Sequence, residues 1–359
     1  MRLGLLTLAL LGLGLGTTLA FAKGDRPQRS DGYVVRPLVA SGIVRAPHRD
    51  PLLVNAWGLA AGPTGPWWTA NEARESSTLY SGTGKKVLLS VSVPGGPTGI
   101  VHYDAAGFPV TLGRATDPAR FIYACEDGML RAWTPTVPTG WSTQSVVVVD
   151  DAKEGALFRG LAIAGEHIYA TDFHNARVKV YDNRWRRVKR PGAFVDRSIP
   201  AWYAPFGIHA VGGHIFVTYV WRAPVNGNDA PTGGYVDEFD LEGRLVARVG
   251  RDAGLNAPWG IARAPKSFGR FGGDLLVANF GDGRINAFST SNGRWRLAGV
   301  LRGTDGRPLV VNGIWAIAFG NGHLAGPTST LFFASGPHEW HGDTEAGVGG
   351  LLGSIYPSR

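Results

Sequence analysis

The chain has 359 residues, 44% hydrophobic and 18% charged, enough apolar side chain for a sizeable core, which excludes wholesale disorder. Its 52 Gly, twice the usual share of about 7%, follow no triplet period, which excludes a collagen-like rod and points to many tight turns. A single cysteine excludes an intramolecular disulfide, and a formal charge of +8, from 29 Arg and 7 Lys against 28 acids, is too dilute over this length to call for a nucleic-acid partner.

The N-terminus reads as an export signal over residues 1–22. Arg2 supplies the positive charge, Leu3 to Leu15 the apolar stretch, and Ala20-Phe21-Ala22 a small-residue cleavage site that leaves Lys23 first in the mature chain. The alternative is an uncleaved anchor, since residues 3–22 are just long enough to span a bilayer. After cleavage no membrane span is expected, and the protein is periplasmic or extracellular. Residues 23–32 form a short linker, and 33–359 one domain.

Beyond the signal, short runs of Val, Ile, Tyr, Phe and Trp bounded by Gly, Pro, Asn and Asp predict strands, without sustained helical periodicity. Six segments open alike: Trp57-Gly58-Leu59-Ala60, Thr98-Gly99-Ile100-Val101, Arg159-Gly160-Leu161-Ala162, Phe206-Gly207-Ile208, Trp259-Gly260-Ile261-Ala262 and Trp315-Ala316-Ile317-Ala318. Their small middle residues lie 41, 61, 47, 53 and 56 positions apart. A second apolar run ending in polar residues follows each of the first five: Trp68 to Asn71, Ile122 to Glu126, Ile168 to Asp172, Phe216 to Tyr219 and Leu276 to Asn279. Asp127-Gly128 and Asp282-Gly283 then mark hairpin turns, because Gly accepts the positive φ of a two-residue turn. Third runs, Met129 to Trp133, Arg177 to Tyr181, Tyr235 to Phe239 and Ile285 to Phe288, and fourth runs such as Ser145 to Val149 complete units of four short antiparallel strands.

Such a unit is a propeller blade. The fold expected is all-β, a six-bladed β-propeller. The last repeat is one strand short, and Tyr33 to Ala40 is free to supply it, so the ring is expected to be closed by strands from both termini. A two-sheet sandwich with a small second domain is the competing architecture; it explains neither the repeated openings nor the missing strand.

In a propeller the first strand of each blade lines the channel, and the connection into it shares a face with the turn from second to third strand. That geometry gathers acids and carboxamides at one mouth of an otherwise basic protein. Glu126, Asp172 and Asn279, with Asn71 and Asn312 behind them, form a candidate shell for Ca²⁺ or another divalent cation, which takes six to eight oxygen ligands. The bland alternative is that they cap turns. His174, beside Asp172, is the candidate catalytic base. Asn55, Glu72, Asp127, Asn256 and Asp282, with the loop aromatics Trp221 and Trp340, are the candidate ligand-binding set. His338, His341, Glu345 and His174 offer a softer, zinc-like alternative that lacks a His-Glu-x-x-His spacing. Arg184 to Arg190 reads as a polyanion patch or as the charged outer edge of a sheet, and Cys125 as a core residue.

The phrases Asn55-Ala56-Trp57-Gly58-Leu59-Ala60, Glu126-Asp127-Gly128, Tyr169-Ala170-Thr171-Asp172-Phe173-His174-Asn175, Tyr203-Ala204-Pro205-Phe206, Leu255-Asn256-Ala257-Pro258-Trp259-Gly260 and Asn279-Phe280-Gly281-Asp282-Gly283 resemble a bacterial family of exported conserved hypothetical proteins. That family is taken to be NHL-like propellers, some with a C-terminal PEP-CTERM sorting tail. The resemblance runs from Val34 to Ile355 and implies the fold and no particular activity. This chain ends at Arg359 without the sorting motif. More distantly it resembles Ca²⁺-dependent propeller lactonases of the gluconolactonase type, which implies a metal held by Glu, Asn and Asp at the channel mouth.

Two functions are expected from this reading. The first is a monomeric, non-catalytic binding or scaffold module that recognises a small molecule, glycan or protein at the acidic mouth, with no nucleic acid and no certain cofactor. The alternative is a divalent-metal-dependent hydrolase or lyase.

Overall fold

The computed structural model of the protein describes residues 32–358, apart from 43, 223–232, 252–253 and 342–343, with the side chains of 338–348 also outside the description. The signal and linker expected over residues 1–31 lie outside the described residues. Among those described, no helix is long and apolar enough to cross a membrane.

The protein is a six-bladed β-propeller. The first blade holds Ala56–Ala61, Trp67–Asn71, Ser76–Tyr80 and Lys86–Ser92; the second, Pro97–His102, Phe121–Cys125, Met129–Trp133 and Val146–Asp150. The third has Phe158–Ala164, His167–Asp172 and Arg177–Asp182, and the fourth Tyr203–Val211, His214–Trp221, Tyr235–Phe239 and Leu245–Arg251. The fifth has Pro258–Arg263, Leu275–Asn279, Ile285–Ser291 and Arg294–Val300. In the sixth, Ile314–Phe319, Leu331–Ser335 and Leu351–Pro357 are joined by Tyr33–Ala40, which pairs antiparallel with Leu351–Pro357.

The strands differ by position in the blade. Second strands such as Phe121–Cys125 and Leu275–Asn279 are buried along their whole length, because a neighbouring blade covers each face, and they read as continuous apolar runs. Outer strands such as Lys86–Ser92 are buried only in part and carry polar residues. The small residue of each opening has a steric origin. A Cβ on Gly207 would lie 2.2 Å from the Trp259 carbonyl oxygen of the next blade, and one on Gly260 2.3 Å from that of Trp315. Inner strands therefore approach one another across blades more closely than any side chain permits.

The long second spacing is accounted for by an inserted hairpin, Pro109–Leu112 with Ala115–Pro118, between the first and second strands of its blade. The basic run Arg184 to Arg190 forms the outer edge of the third blade. Arg187 bridges Tyr181, the Val188 amide donates to the Val180 carbonyl, Arg186 pairs with Asp182 and Arg187 with Asp151.

Candidate functional site

The acidic mouth is where the inner strands begin. Glu126 is ion-paired with Arg159, whose guanidinium also lies 5.2 Å from the Trp57 ring centre and 5.6 Å from that of Phe173. Asp127 pairs with Arg131 at 2.8 Å. Asp172 is fully buried: one oxygen accepts from Asn175 Nδ2 at 2.9 Å and faces Lys179 Nζ at 3.3 Å and Arg177 Nε at 3.4 Å, and the other accepts from the Leu157 amide. Lys179, itself fully buried, also reaches Asp151 and Glu154. Burial alone would raise the Asp151 carboxyl, but the hydrogen bonds from Lys179 and Tyr181 outweigh it and hold the group below its ordinary range. The Lys179 hydrogen bond does the same for Glu154.

These pairings engage residues of the expected metal shell. The cations facing Glu126 and Asp172 are the protein's own guanidinium and ammonium groups. Asn71 is sealed inside the first blade, bonded to Thr69 at 2.8 Å and Thr78 at 2.9 Å. Asn279 donates to the Gly254 carbonyl at 2.7 Å and to Asp282 at 3.2 Å. Asn312 is exposed. Among the described residues no three or more His, Cys, Asp or Glu side chains are grouped to hold a metal ion.

The remaining expected residues are dispersed. Asn55 links its mouth together, donating to Glu72 at 2.7 Å and accepting from the Trp315 indole at 3.1 Å. Asn256 buries a carboxamide oxygen without a partner. His174 is exposed, its backbone carbonyl bonded by Arg222. Trp221 closes the second strand of the fourth blade, half-buried. The side chain of Trp340 lies outside the described residues, as do those of His338, His341 and Glu345. Cys125 is buried, which pushes its thiol up to about 12 and makes it inert.

Below this mouth, aromatic rings fill the channel. Trp57 stacks on Trp315 at 3.6 Å, Phe280 stacks on Trp315 at 3.8 Å, and Trp259 meets both tryptophans edge-on at 6.2 Å. The Trp259 indole donates to the Arg159 carbonyl at 3.1 Å, across the ring from blade five to blade three. The repeated tryptophans of the openings thus meet one another in the channel as well as packing between blades.

The open volume lies at the other mouth, where the inner strands end. A cavity of about 630 Å³ is lined by the second halves of all six inner strands. Its walls are mostly small and aliphatic, including Leu161, Ile261 and Ile317, and its polar side chains are His102, Asp104, His209, Arg263 and Asn321. Asn321 is occupied structurally: its amide donates to the Gly62 and Gly65 carbonyls, both at 2.8 Å, and its oxygen accepts from the His323 and Ala325 amides. Arg263 lies over the Trp295 ring at 5.6 Å.

The two imidazoles are the chemically distinctive groups. Burial pushes His209 down to about 4, against a smaller opposing effect of its hydrogen bond to the Trp259 carbonyl. His209 is half-buried and lines the cavity. His102 is also lowered, chiefly by burial, with Asp104 opposing and Arg120 assisting. Its ring meets Phe121 edge-on at 5.0 Å, in space left by Gly62, where a Cβ would stand 2.9 Å from Nε2. Both are neutral at pH 7.

Sequence reasoning missed this mouth. The sign was in the repeat: the two residues after the small-aliphatic pair of each opening are apolar in the first, third and sixth blades, but His102, His209 and Arg263 break the pattern in the second, fourth and fifth.

No family model matches the chain. An uncharacterised protein of Acanthamoeba polyphaga mimivirus is 33% identical over 338 residues, covering 90% of this chain and 80% of the viral one. A second uncharacterised protein of that virus is 32% identical over 302 residues, covering 80% and 78%. The chain belongs to their family. These relatives are viral, where the sequence resemblance pointed to a bacterial family. Among solved structures, virginiamycin B lyase from Staphylococcus aureus is 11% identical with a TM-score of 0.51, covering 90% of this chain and 99% of the lyase, a likeness of fold alone.

Proposed function

We propose that the protein is an exported, monomeric binding module that takes a small molecule into the channel from the mouth opposite the acidic one. One observation carries the reading: aromatic rings fill one half of the channel, while the other half holds a cavity of about 630 Å³, within the usual 300–1,000 Å³ of ligand pockets, with two neutral imidazoles in an aliphatic wall. The acids of the opposite mouth are engaged with the protein's own cations: Glu126 with Arg159 of the next blade, and Asp127 and Asp172 with Arg131 and Lys179 of their own blades. Export is supported by Arg2, the apolar run Leu3 to Leu15 and the Ala20-Phe21-Ala22 site.

Ala210 is exposed and lines the cavity on an inner strand, so Ala210→Trp obstructs the mouth with a residue suited to a strand. The test is a melting-temperature screen of a panel of small uncharged and charged molecules against both chains. Compounds that stabilise the wild type are expected to leave Ala210→Trp unshifted, since a ligand at 100 times its dissociation constant contributes about 2.7 kcal/mol to the native state only where it binds. Stabilisation that survives Ala210→Trp, or a panel without effect, counts against the reading.

A further inference from the structure

The cavity dictates the polarity of what it binds. His209 Nε2 lies 3.0 Å from the Trp259 carbonyl oxygen. A carbonyl only accepts, so Nε2 carries the ring proton, and in the neutral ring Nδ1 is left with a lone pair and no hydrogen. Among the described residues Nδ1 has no protein partner and is not among the sealed polar atoms; the ring borders the cavity. The tautomer is set by the backbone of the next blade, and the cavity receives a fixed acceptor.

The remaining lining extends the argument. Neither ring nitrogen of His102 has a protein partner among the described residues, so this imidazole offers one donor and one acceptor. Arg263, the cationic side chain of the lining, sits over Trp295, and Asp104 brings a negative charge to the same mouth. Leu161, Ile163, Val211, Ile261 and Ile317 supply apolar wall. A carboxylate or phosphate would set its lone pairs against that of His209, whereas a hydroxyl or amide N–H satisfies it.

Resting on the reading that the cavity is a ligand site, we infer that its ligand is an uncharged molecule with an apolar body that donates a hydroxyl or amide hydrogen to His209 Nδ1. An alcohol-bearing ring or an N-substituted amide has this chemistry. Discrimination is directional: a ligand of the same shape lacking the donor leaves the imidazole nitrogen unpaired and loses both the bond and the solvation the nitrogen had in the open cavity.

Three probes on one ring body test it: p-cresol, 4-methylanisole and 4-methylbenzoate, titrated at pH 7 by calorimetry or ligand-observed NMR. Wild type is expected to bind the phenol about tenfold more tightly than the ether, and the carboxylate most weakly. His209→Phe should bring the phenol down to the ether, whereas His209→Gln, whose carboxamide can donate to the Trp259 carbonyl and still accept, should retain the preference. The comparison of probes on wild type stands whether or not the phenylalanine variant folds. Equal affinity for phenol and ether, or preference for the carboxylate, overturns the donor assignment while leaving the cavity reading intact, provided Ala210→Trp abolishes binding. Binding that is indifferent to Ala210→Trp, or no binding by any probe up to its solubility, overturns both.

Discussion

His209 illustrates how much chemistry one hydrogen bond fixes. The bond to the Trp259 carbonyl sets the tautomer, the packed ring of inner strands lowers the pKa, and the cavity leaves one nitrogen exposed to a ligand. A pH effect on stability follows. The folded imidazole titrates at about 4 and the unfolded one near 6.5, so below pH 6.5 the unfolded chain binds a proton that the folded chain refuses. The contribution is whole above pH 6.5 and is lost as pH falls toward 4, a change on the order of 2 kcal/mol. In His209→Gln, denaturant unfolding at pH 7 and pH 4.5 should show a smaller difference between the two pH values than in wild type. An unchanged difference would mean that the imidazole is solvated like a free one. The sequence already placed His209 next to an opening, but a lone histidine on an apolar strand carries no sign of its tautomer, which depends on a carbonyl 50 residues away.

At the scale of elements, charge ties the third blade together. Arg177–Asp182 reads Arg-Val-Lys-Val-Tyr-Asp, and its central lysine is fully buried against Asp172 of the neighbouring strand and against Asp151 and Glu154 of the connection into the blade. Lys179→Met would leave Asp172, sealed from solvent, with Arg177 at 3.4 Å as the cation still facing it, and removing one partner of a buried pair costs about 3–5 kcal/mol. Urea unfolding at pH 7 should register that loss, and the gap from wild type should narrow as pH falls through the carboxylate range. Asp151 and Glu154 are held below their ordinary values in the folded chain, so their stabilisation is lost as they protonate. A loss below 1 kcal/mol would mean that the network is solvated. Strands were legible in the sequence because second strands are covered on both faces and therefore uniformly apolar. The pairing of the acids was not, because Glu126 meets Arg159 33 residues on, and only the rotation from one blade to the next brings the two together. A lysine amid the apolar residues of Arg177–Asp182 was the available hint that carboxylates lay opposite.

For the whole molecule, the repeat of small residues encodes the ring. Each opening glycine lets one inner strand approach the next, and six openings give six blades; that much needed only the spacing of Gly58, Gly99, Gly160, Gly207, Gly260 and Ala316. Which mouth of the channel stays open was beyond the pattern. Trp57, Trp259 and Trp315 occupy equivalent positions, and equivalence in a ring turns all three toward one axis, where Trp57 and Trp315 stack, Trp259 meets them edge-on, and the rings fill the half of the channel nearest the acids. The acid-rich mouth attracted the sequence reading because its residues are chemically conspicuous; the opposite mouth holds the volume.

Diffraction from crystals soaked with p-cresol decides between the two mouths. The account predicts the ring of the phenol among Leu161, Ile261 and Ile317, with its hydroxyl about 2.8 Å from His209 Nδ1. Density for the phenol beside Asn55, Asn256 and Asn279, with the cavity at the far end of the channel empty, would contradict it.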